Sequence, residues 1–400
     1  MNAYSPQAYT IPGIAARQAD RAVPLQRTPL HLAPVGAKAM TLDFAGGRLS
    51  SDAGLVLRKD PDEPRGFTRD LAAVRSDPGD PRRVHCTLPD LRKQRVLPMA
   101  AGYEDANDAH TLRHDPLCTL LLDRLPETGP PLASPPTLSR FANRVSRPGL
   151  SRMARGFLEQ CLASYARPPQ RIVLDVADTE DPVHGEQEQA RYEAYYGGYG
   201  CLPRHLYAGL AGRLITTIFK AKRCTGAQRL AGLQRLSKRL RHAWPDTLRI
   251  FRGESHCASP EVRQWIEAQP NCSYVTGLTS NALLQELARE VVEQAQRAYE
   301  RDRRTITRFH STRYQAGAWS HARRVVLKVA VSDQGVHTRC VVTDLEQARP
   351  KVLSQHISCA RGQAENEIKD HTRSRHSDRT SCHRFEANQF RLFLPSAASG

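Results

Sequence analysis

The chain has 400 residues, 40% of them hydrophobic and 25% charged, which is enough apolar content for a sizeable core in two or three units and excludes a wholly disordered chain. Its 58 Lys and Arg against 41 Asp and Glu leave a net charge of +17, a field that attracts polyanions such as nucleic acid or an anionic membrane. No run of about 18 apolar residues occurs, and residues 1–38 show no charged segment followed by an apolar one, so neither a membrane span nor a secretory signal is expected. The ten cysteines never form a C-x-x-C pair, which argues against a zinc ribbon and predicts scattered, reduced thiols.

In chain order, residues 1–38 carry Pro, Ala and Arg without periodicity and read as a loosely ordered leader. Helical spacing follows from Leu42 to Arg167. Leu71, Ala72 and Val74 precede a proline-rich break. Leu91, Val96 and Leu97 then run toward Ala101 with Arg92, Lys93 and Arg95 between them. Further helical stretches cover Leu112 to Leu125 and the segment opened by Pro136 and Thr137 that contains Leu138, Phe141 and Val145. A mostly helical amino-terminal unit is expected, and core packing accounts for its leucines without any function.

At Arg171 the period changes. Arg171 to Ala177 (RIVLDVA) is a short apolar run, the mark of a buried strand, with Asp175 inside it. His205 to Leu210 and Arg213 to Lys222 read as two more strands around the Ala211-Gly212 turn. From Gly226 to Trp244, Leu230, Leu233, Leu236 and Leu240 recur at helical spacing with Arg229, Arg235, Lys238, Arg239 and Arg241 between them, predicting an amphipathic basic helix. Thr247 to Gly253 returns to strand and ends at Glu254. A helix over Glu261 to Ala268, a strand over Tyr274 to Leu278, a helix over Asn281 to Tyr299, a basic stretch (Arg301, Arg303, Arg304, Arg308, Arg313) and a hairpin over Arg324 to Thr343 follow. Such alternation predicts an α/β protein with a mixed sheet covered by helices. The basic residues recur through folded segments and no basic helix has a bulky membrane-binding face, so nucleic acid is the favoured polyanion.

Three acid-bearing segments stand at the ends of regular elements or on them: Leu174 to Gln187, Phe251 to His256 and Ala360 to Asp370. Acids from distant segments held on a rigid scaffold are what phosphoryl transfer by a pair of divalent ions requires. A carboxylate-pair sugar hydrolase fits neither the charge nor the basic helix. His184 and His256 lie near acids without zinc spacing and read as turn residues or as supports for those acids. Trp244, Trp265 and Trp319 read as core, although Trp319, near the basic stretch, is the one placed to touch a frayed DNA end.

The segments GGRLSSDAGL (46–55), AGYEDANDA (101–109), PTLSRFAN (136–143), DTEDPVHGEQE (178–188), YYGGYG (195–200), RGQAENEIKD (361–370) and DRTSCHRFEANQFRLFL (378–394) together resemble, in order, bacterial insertion-sequence transposases of the DDE type whose third catalytic region bears a Tyr-Arg-Glu-Lys signature. That resemblance covers about Phe44 to Phe393. It implies an RNase H-like mixed sheet with flanking helices, a helical amino-terminal unit and a β-rich insertion before the last catalytic helix. It implies DNA strand cleavage and strand transfer with Mg²⁺, or Mn²⁺, held by Asp175, Glu254 and Glu365. It also implies phosphate contacts from Arg361 and Lys369, joined by Arg235, Lys238 and Arg239 of the basic helix. The partners would be the element's terminal inverted repeats and target DNA, bound as a homodimer in the cytoplasm at the nucleoid. The corresponding units are a leader (1–40), a helical DNA-binding or dimerisation unit (41–168), the first part of the core (169–280), an insertion (281–355), and the catalytic-glutamate helix with a shortened carboxyl terminus (356–400).

The resemblance breaks at reactive positions. The family reads Leu-Asp-x-Asp-x-Thr in its first region, and the second Asp falls on Ala177 here. Residues 175 and 177 of a strand share a face while 178 takes the other, so Asp178 is not a simple replacement. The second acid, Asp in the family, is Glu254. In the third region Arg361 and Glu365 are kept, whereas Tyr and Lys fall on Ser358 and Thr372. These departures raise a second expectation, a copy that binds DNA without cutting it.

Overall fold

The computed structural model describes residues 30–35, 38–42, 50, 52–56, 85–183, 185–194, 197–209, 211–222, 226–255, 259–374 and 376–399. The leader at 1–29, the helical signal at Leu71 to Val74, His184 and His256 lie outside them. The chain divides into two compact units, residues 1–49 and 50–400. In the first, β1 (Leu30–Val35) and β2 (Lys38–Leu42) form an antiparallel hairpin, so paired strands occupy part of the stretch read as leader.

The second unit begins with helices, among them Leu88–Ala100, Pro116–Leu121, Pro135–Asn143 and Arg147–Ala163. Thr87 and Asp90 close a capping box at the start of the first, and Ser146 caps the last. The apolar faces of the Leu88–Ala100 and Arg147–Ala163 helices meet the carboxy-terminal helix Phe385–Ser399 in one cluster: Met153, Phe157, Phe390 and Phe393 are at most 3% exposed. Phe141 meets Phe390 edge-on at 5.1 Å. The helical amino-terminal unit is therefore completed by a helix from the far end of the chain.

β3 (Arg171–Asp178) opens the sheet region. The short strands β4 (Asp181–Pro182), β5 (Arg191–Glu193) and β6 (Gly198–Cys201) make a small separate sheet in the order β4-β6-β5. The large sheet adds β7 (Arg204–Ala208), β8 (Arg213–Ile218), β9 (Leu248–Gly253), β10 (Cys272–Leu278), β11 (Ile306–Tyr314), β12 (Arg323–Ser332) and β13 (Gly335–Thr343). Its order is β11-β12-β13-β10-β9-β3-β7-β8, with β9 parallel to both β3 and β10 and every other pair antiparallel. The helix Pro260–Glu267 makes the crossover that parallel neighbours require between β9 and β10.

Both faces of the sheet are covered at its centre. Ile172, Leu174 and Val176 of β3 pack with Leu233, Leu236 and Leu240 of the helix Gly226–Ala243, and with Val262, Ile266, Leu284 and Ala288 of the helices 260–267 and 282–302. Val173 faces the other way with Ile250, Val275, Val326, Val341 and Leu353, while Ala177 meets Tyr207 and Ile368. Burial on both faces is why β3 reads as a continuous apolar run rather than an alternating one. The large mixed sheet with flanking helices, preceded by helices and with extra strands before the last acid-bearing helix, is thus the α/β architecture expected. Among the described residues no helix is long and apolar enough to cross a membrane, and the described cysteines are all free.

Candidate catalytic centre

Asp175 lies between Val173 and Ala177 on the face of β3 that the 352–373 stretch covers, and the register sets Arg252 of β9 directly beside it. Their side chains are each 1% exposed. Arg252 Nε donates to Asp175 Oδ1 and Nη2 to Oδ2, the second at 2.5 Å, while Nη1 donates to the Ile357 carbonyl at 2.5 Å. This is a two-pronged guanidinium-carboxylate pair sealed from water. Burial pushes the Asp175 carboxyl above the usual carboxylate range, with the hydrogen bonds and charge of Arg252 and the charge of Arg361 opposing that rise.

Gly209, just after β7, makes room for the pair. A Cβ at this position would stand 1.9 Å from Asp175 Oδ2 and 2.7 Å from Arg252 Nη2, while the Gly209 N–H donates to the Val173 carbonyl at 2.9 Å. Gly209→Ala is therefore expected to displace a buried ion pair and to lower stability by about 1–3 kcal/mol, the usual range for overpacking. Urea unfolding of the purified variant checks it, and an unchanged midpoint would show that the pair yields freely.

Ile357 belongs to a π-helical stretch, Val352–Ser358, which leads through Cys359–Arg361 into the helix Gly362–Arg373. Such wide turns recur at functional sites. Arg361 leaves this bend with Nη1 donating to Glu254 Oε1 at 2.7 Å and 3.3 Å from Glu365 Oε1. The side chains of Glu254 and Glu365 are about half exposed, and Ala364, Ile368 and His371 form the buried side of the helix. Three acids from β3, the end of β9 and the 362–373 helix are thus gathered around two arginines.

That arrangement bears on the expected metal. Among the described residues no group of three His, Cys, Asp or Glu side chains is placed to hold an ion. Both oxygens of Asp175 are taken by Arg252, and Arg361 stands between Glu254 and Glu365. As they stand, these carboxylates fit guanidinium counter-ions and do not fit Mg²⁺ or Mn²⁺.

Ala177, where the family pattern has an acid, is 4% exposed and packs on Tyr207 and Ile368. Asp178 turns to the opposite face, as the period of two demands. It accepts from Arg204 Nε at 2.7 Å and Nη2 at 3.0 Å, with Lys220 Nζ at 3.0 Å. Burial opposes its ionisation, but Arg204 and Lys220 outweigh burial and hold its pKa below the ordinary value.

The expected DNA contacts fare unevenly. Lys369 is exposed on the 362–373 helix, and Arg361 is committed to the acids. Arg235 and Lys238 are exposed, yet the 226–243 helix lies on the face of the sheet opposite Asp175, so they do not join the centre. Arg239 is bound two-pronged to Glu159 of the 147–163 helix at 2.7 and 2.5 Å, which makes it a packing contact. Trp319 is 6% exposed against Tyr314, with the guanidinium groups of Arg263 and Arg323 5.2 and 5.3 Å from its ring centre, so it is core and offers no face to a DNA end.

Arg252 and Gly209 were not singled out from the sequence. Arg252 had a signal, a cation inside a run that otherwise reads as buried strand, which requires a partner. Gly209 had none. The segments 178–188 and 378–394 meet in a second cluster: Thr380 Oγ1 donates to Asp181 Oδ2, Gln187 Nε2 to the Thr380 carbonyl at 2.5 Å, and the Phe385 N–H to Glu188 Oε2 at 2.9 Å. Two stretches that carried the family resemblance therefore clasp the carboxy-terminal helix to the loop after β3.

No curated protein matches the chain. Among solved structures it is similar to a piggyBac transposase in a synaptic complex with hairpin DNA, at 12% identity and a TM-score of 0.40, over 88% of this chain and 77% of that one. The model of the family described as "Transposase DDE domain group 1" matches residues 32–399. The chain therefore belongs to the DDE transposases of that group.

Proposed function

We propose that this protein handles the ends of a bacterial insertion sequence: it binds the terminal inverted repeats and target DNA as a homodimer at the nucleoid, on a scaffold built for DNA strand cleavage and strand transfer. The observation that supports this most is the gathering of Asp175, Glu254 and Glu365, remote in sequence, around Arg252 and Arg361. Transposase chemistry of this type draws on a divalent ion to activate the attacking oxygen and stabilise the leaving one. The residues described do not fit that ion. Asp175 and Arg252 hold β3 and β9 in register under the centre. Arg361 joins the end of β9 to the 362–373 helix and, being a fork of donors, is suited to a phosphate oxygen. Lys369, four residues beyond Glu365 on the helix, supplies a second phosphate contact.

A second reading, that this copy binds DNA without cutting it, is favoured by the apolar setting of Ala177 and by the guanidinium occupancy of all three acids. The full chain incubated with DNA bearing the element's terminal repeats in Mg²⁺ or Mn²⁺ separates the two. Nicking that disappears in Glu365→Gln supports the cutting protein. Tight binding without nicking, together with nicking by the Ala177→Asp/Glu254→Asp variant, supports the binding-only copy. Both require an affinity that falls steeply with salt through counter-ion release, and a chain that binds no DNA at low salt sinks them together.

A further inference from the structure

On the face of the sheet that carries Asp175, the outer three strands leave an open surface. The registers set Phe309 of β11, Lys328 of β12 and Arg339 of β13 side by side in one row across the strands. The reverse face of these strands is closed by the 282–302 helix over Val329 and Val331. Nearer the sheet centre Leu353 covers Val326 and Val341. The cover stops before the row, where Phe309 and Lys328 are half-buried and Arg339 is exposed.

The cations of the row have no structural employment. Arg324 spends its guanidinium on Ser311 at 2.9 Å and on the carbonyls of Leu345, Glu346 and Ala348, and Arg313 pairs with Glu346 at 3.1 Å. Lys328 and Arg339 have no ion pair or side-chain hydrogen bond among the described residues. An aromatic ring beside two unpaired cations on a flat sheet face is the combination that holds unpaired nucleic acid, one stacking a base and the others meeting phosphates.

The row also leads somewhere. β13 pairs with β10, and just past the end of β10 Thr279 Oγ1 donates to Ser255 Oγ at 3.3 Å, next to Glu254. Gly277 of β10 abuts the same backbone, since a Cβ on it would lie 3.7 Å from Glu254 Cα. Three strand steps of about 4.8 Å separate Phe309 from β10, about 14 Å in all.

We propose that Phe309, Lys328 and Arg339 form a track for an unpaired DNA strand leading to the Glu254 end of the candidate centre. This rests on the DNA reading above and adds to it where the strand runs. Charge complementarity and continuity with the centre select the occupant, and the flat face favours an unpaired strand because bases reach such a surface only when unstacked.

Anisotropy of the full chain with a labelled oligothymidylate of about 16 nucleotides, and with a duplex of equal length, tests it across a salt series. Phe309→Ala is expected to weaken oligothymidylate binding about tenfold or more, with duplex binding within about twofold, and Phe309→Tyr to restore it. Lys328→Ala/Arg339→Ala is expected to reduce the salt slope for the single strand by about 1.4. The charge-matched control Arg304→Ala/Arg308→Ala, outside the row, is expected to leave that slope in place. Equal losses from both double variants, or unchanged single-strand binding in Phe309→Ala with a native circular dichroism spectrum, overturn the track. A wild-type chain that binds neither probe overturns the DNA reading itself, whereas wild-type binding matched by the row variants removes the track alone.

Discussion

Arg252→Ala is expected to lower folding stability by about 3–5 kcal/mol, the usual cost of leaving a buried charge without its partner. The side chain contributes three contacts at once: both oxygens of Asp175 and the carbonyl of Ile357 in the π-helical bend. Asp175→Ala/Arg252→Ala removes the stranded charge as well, so its loss is expected to fall short of the sum of the two single losses by about 0.5–3 kcal/mol. Arg252→Lys keeps the charge but gives up the fork, and is expected to fall between wild type and alanine. Urea unfolding of wild type, the two single alanine variants, the double variant and Arg252→Lys measures this, and strictly additive losses would mean that the pair contributes nothing as a pair.

The second large effect concerns pH. Burial raises the Asp181 carboxyl, with Asp378 adding to the rise, up to about 8 against an ordinary value of 3.8. Thr380 and Arg391 pull it back only in part. One oxygen of Asp181 and one of Asp378 are buried without a hydrogen-bond partner, and a proton on Asp181 removes a buried charge that burial and Asp378 both oppose. The folded chain therefore holds a proton that the unfolded chain gives up above about pH 4. By linkage, stability from this group is complete at low pH, declines as pH rises toward about 8, and is level beyond. At about 1.4 kcal/mol per pKa unit, the decline amounts to a few kcal/mol after allowance for structural relaxation. Asp181→Asn keeps an acceptor for Thr380 and offers a permanent donor, so it is expected to be the more stable protein at pH 8.5 and nearly equal at pH 5. Asp178 and Glu267, both held below their ordinary values by cations, act in the other direction: their contribution is present above the unfolded pKa and is lost as pH falls. Parallel stability curves for wild type and Asp181→Asn between pH 5 and 8.5 would show that the Asp181 carboxyl is ionised in the folded state.

Much of the architecture was legible from spacing. β3, β9 and β10, the 226–243 helix and the β12-β13 hairpin each carry a local period set by which side chains must be buried. The location of the three acids was legible for the same reason, since each stands on a strand or helix or at its end. Arg239 shows the limit. Its place on a basic helix suggested phosphate, but the choice between phosphate and Glu159 depends on which helix packs alongside. Trp319 shows it again, because proximity in sequence to a basic stretch said nothing about the burial imposed by Tyr314, Arg263 and Arg323.

By itself the sequence determined the α/β class, the run of elements, the basic surplus and the split between Ala177 and Asp178, because periodicity, charge and the alternation of a strand are local properties. Only the tertiary structure decided that Asp175 faces Arg252, that Gly209 yields space for the pair, that Arg361 joins Glu254 to Glu365, and that the last helix finishes the first helical unit. Those outcomes depend on strand register and on contacts between segments far apart in the chain, which no local pattern encodes.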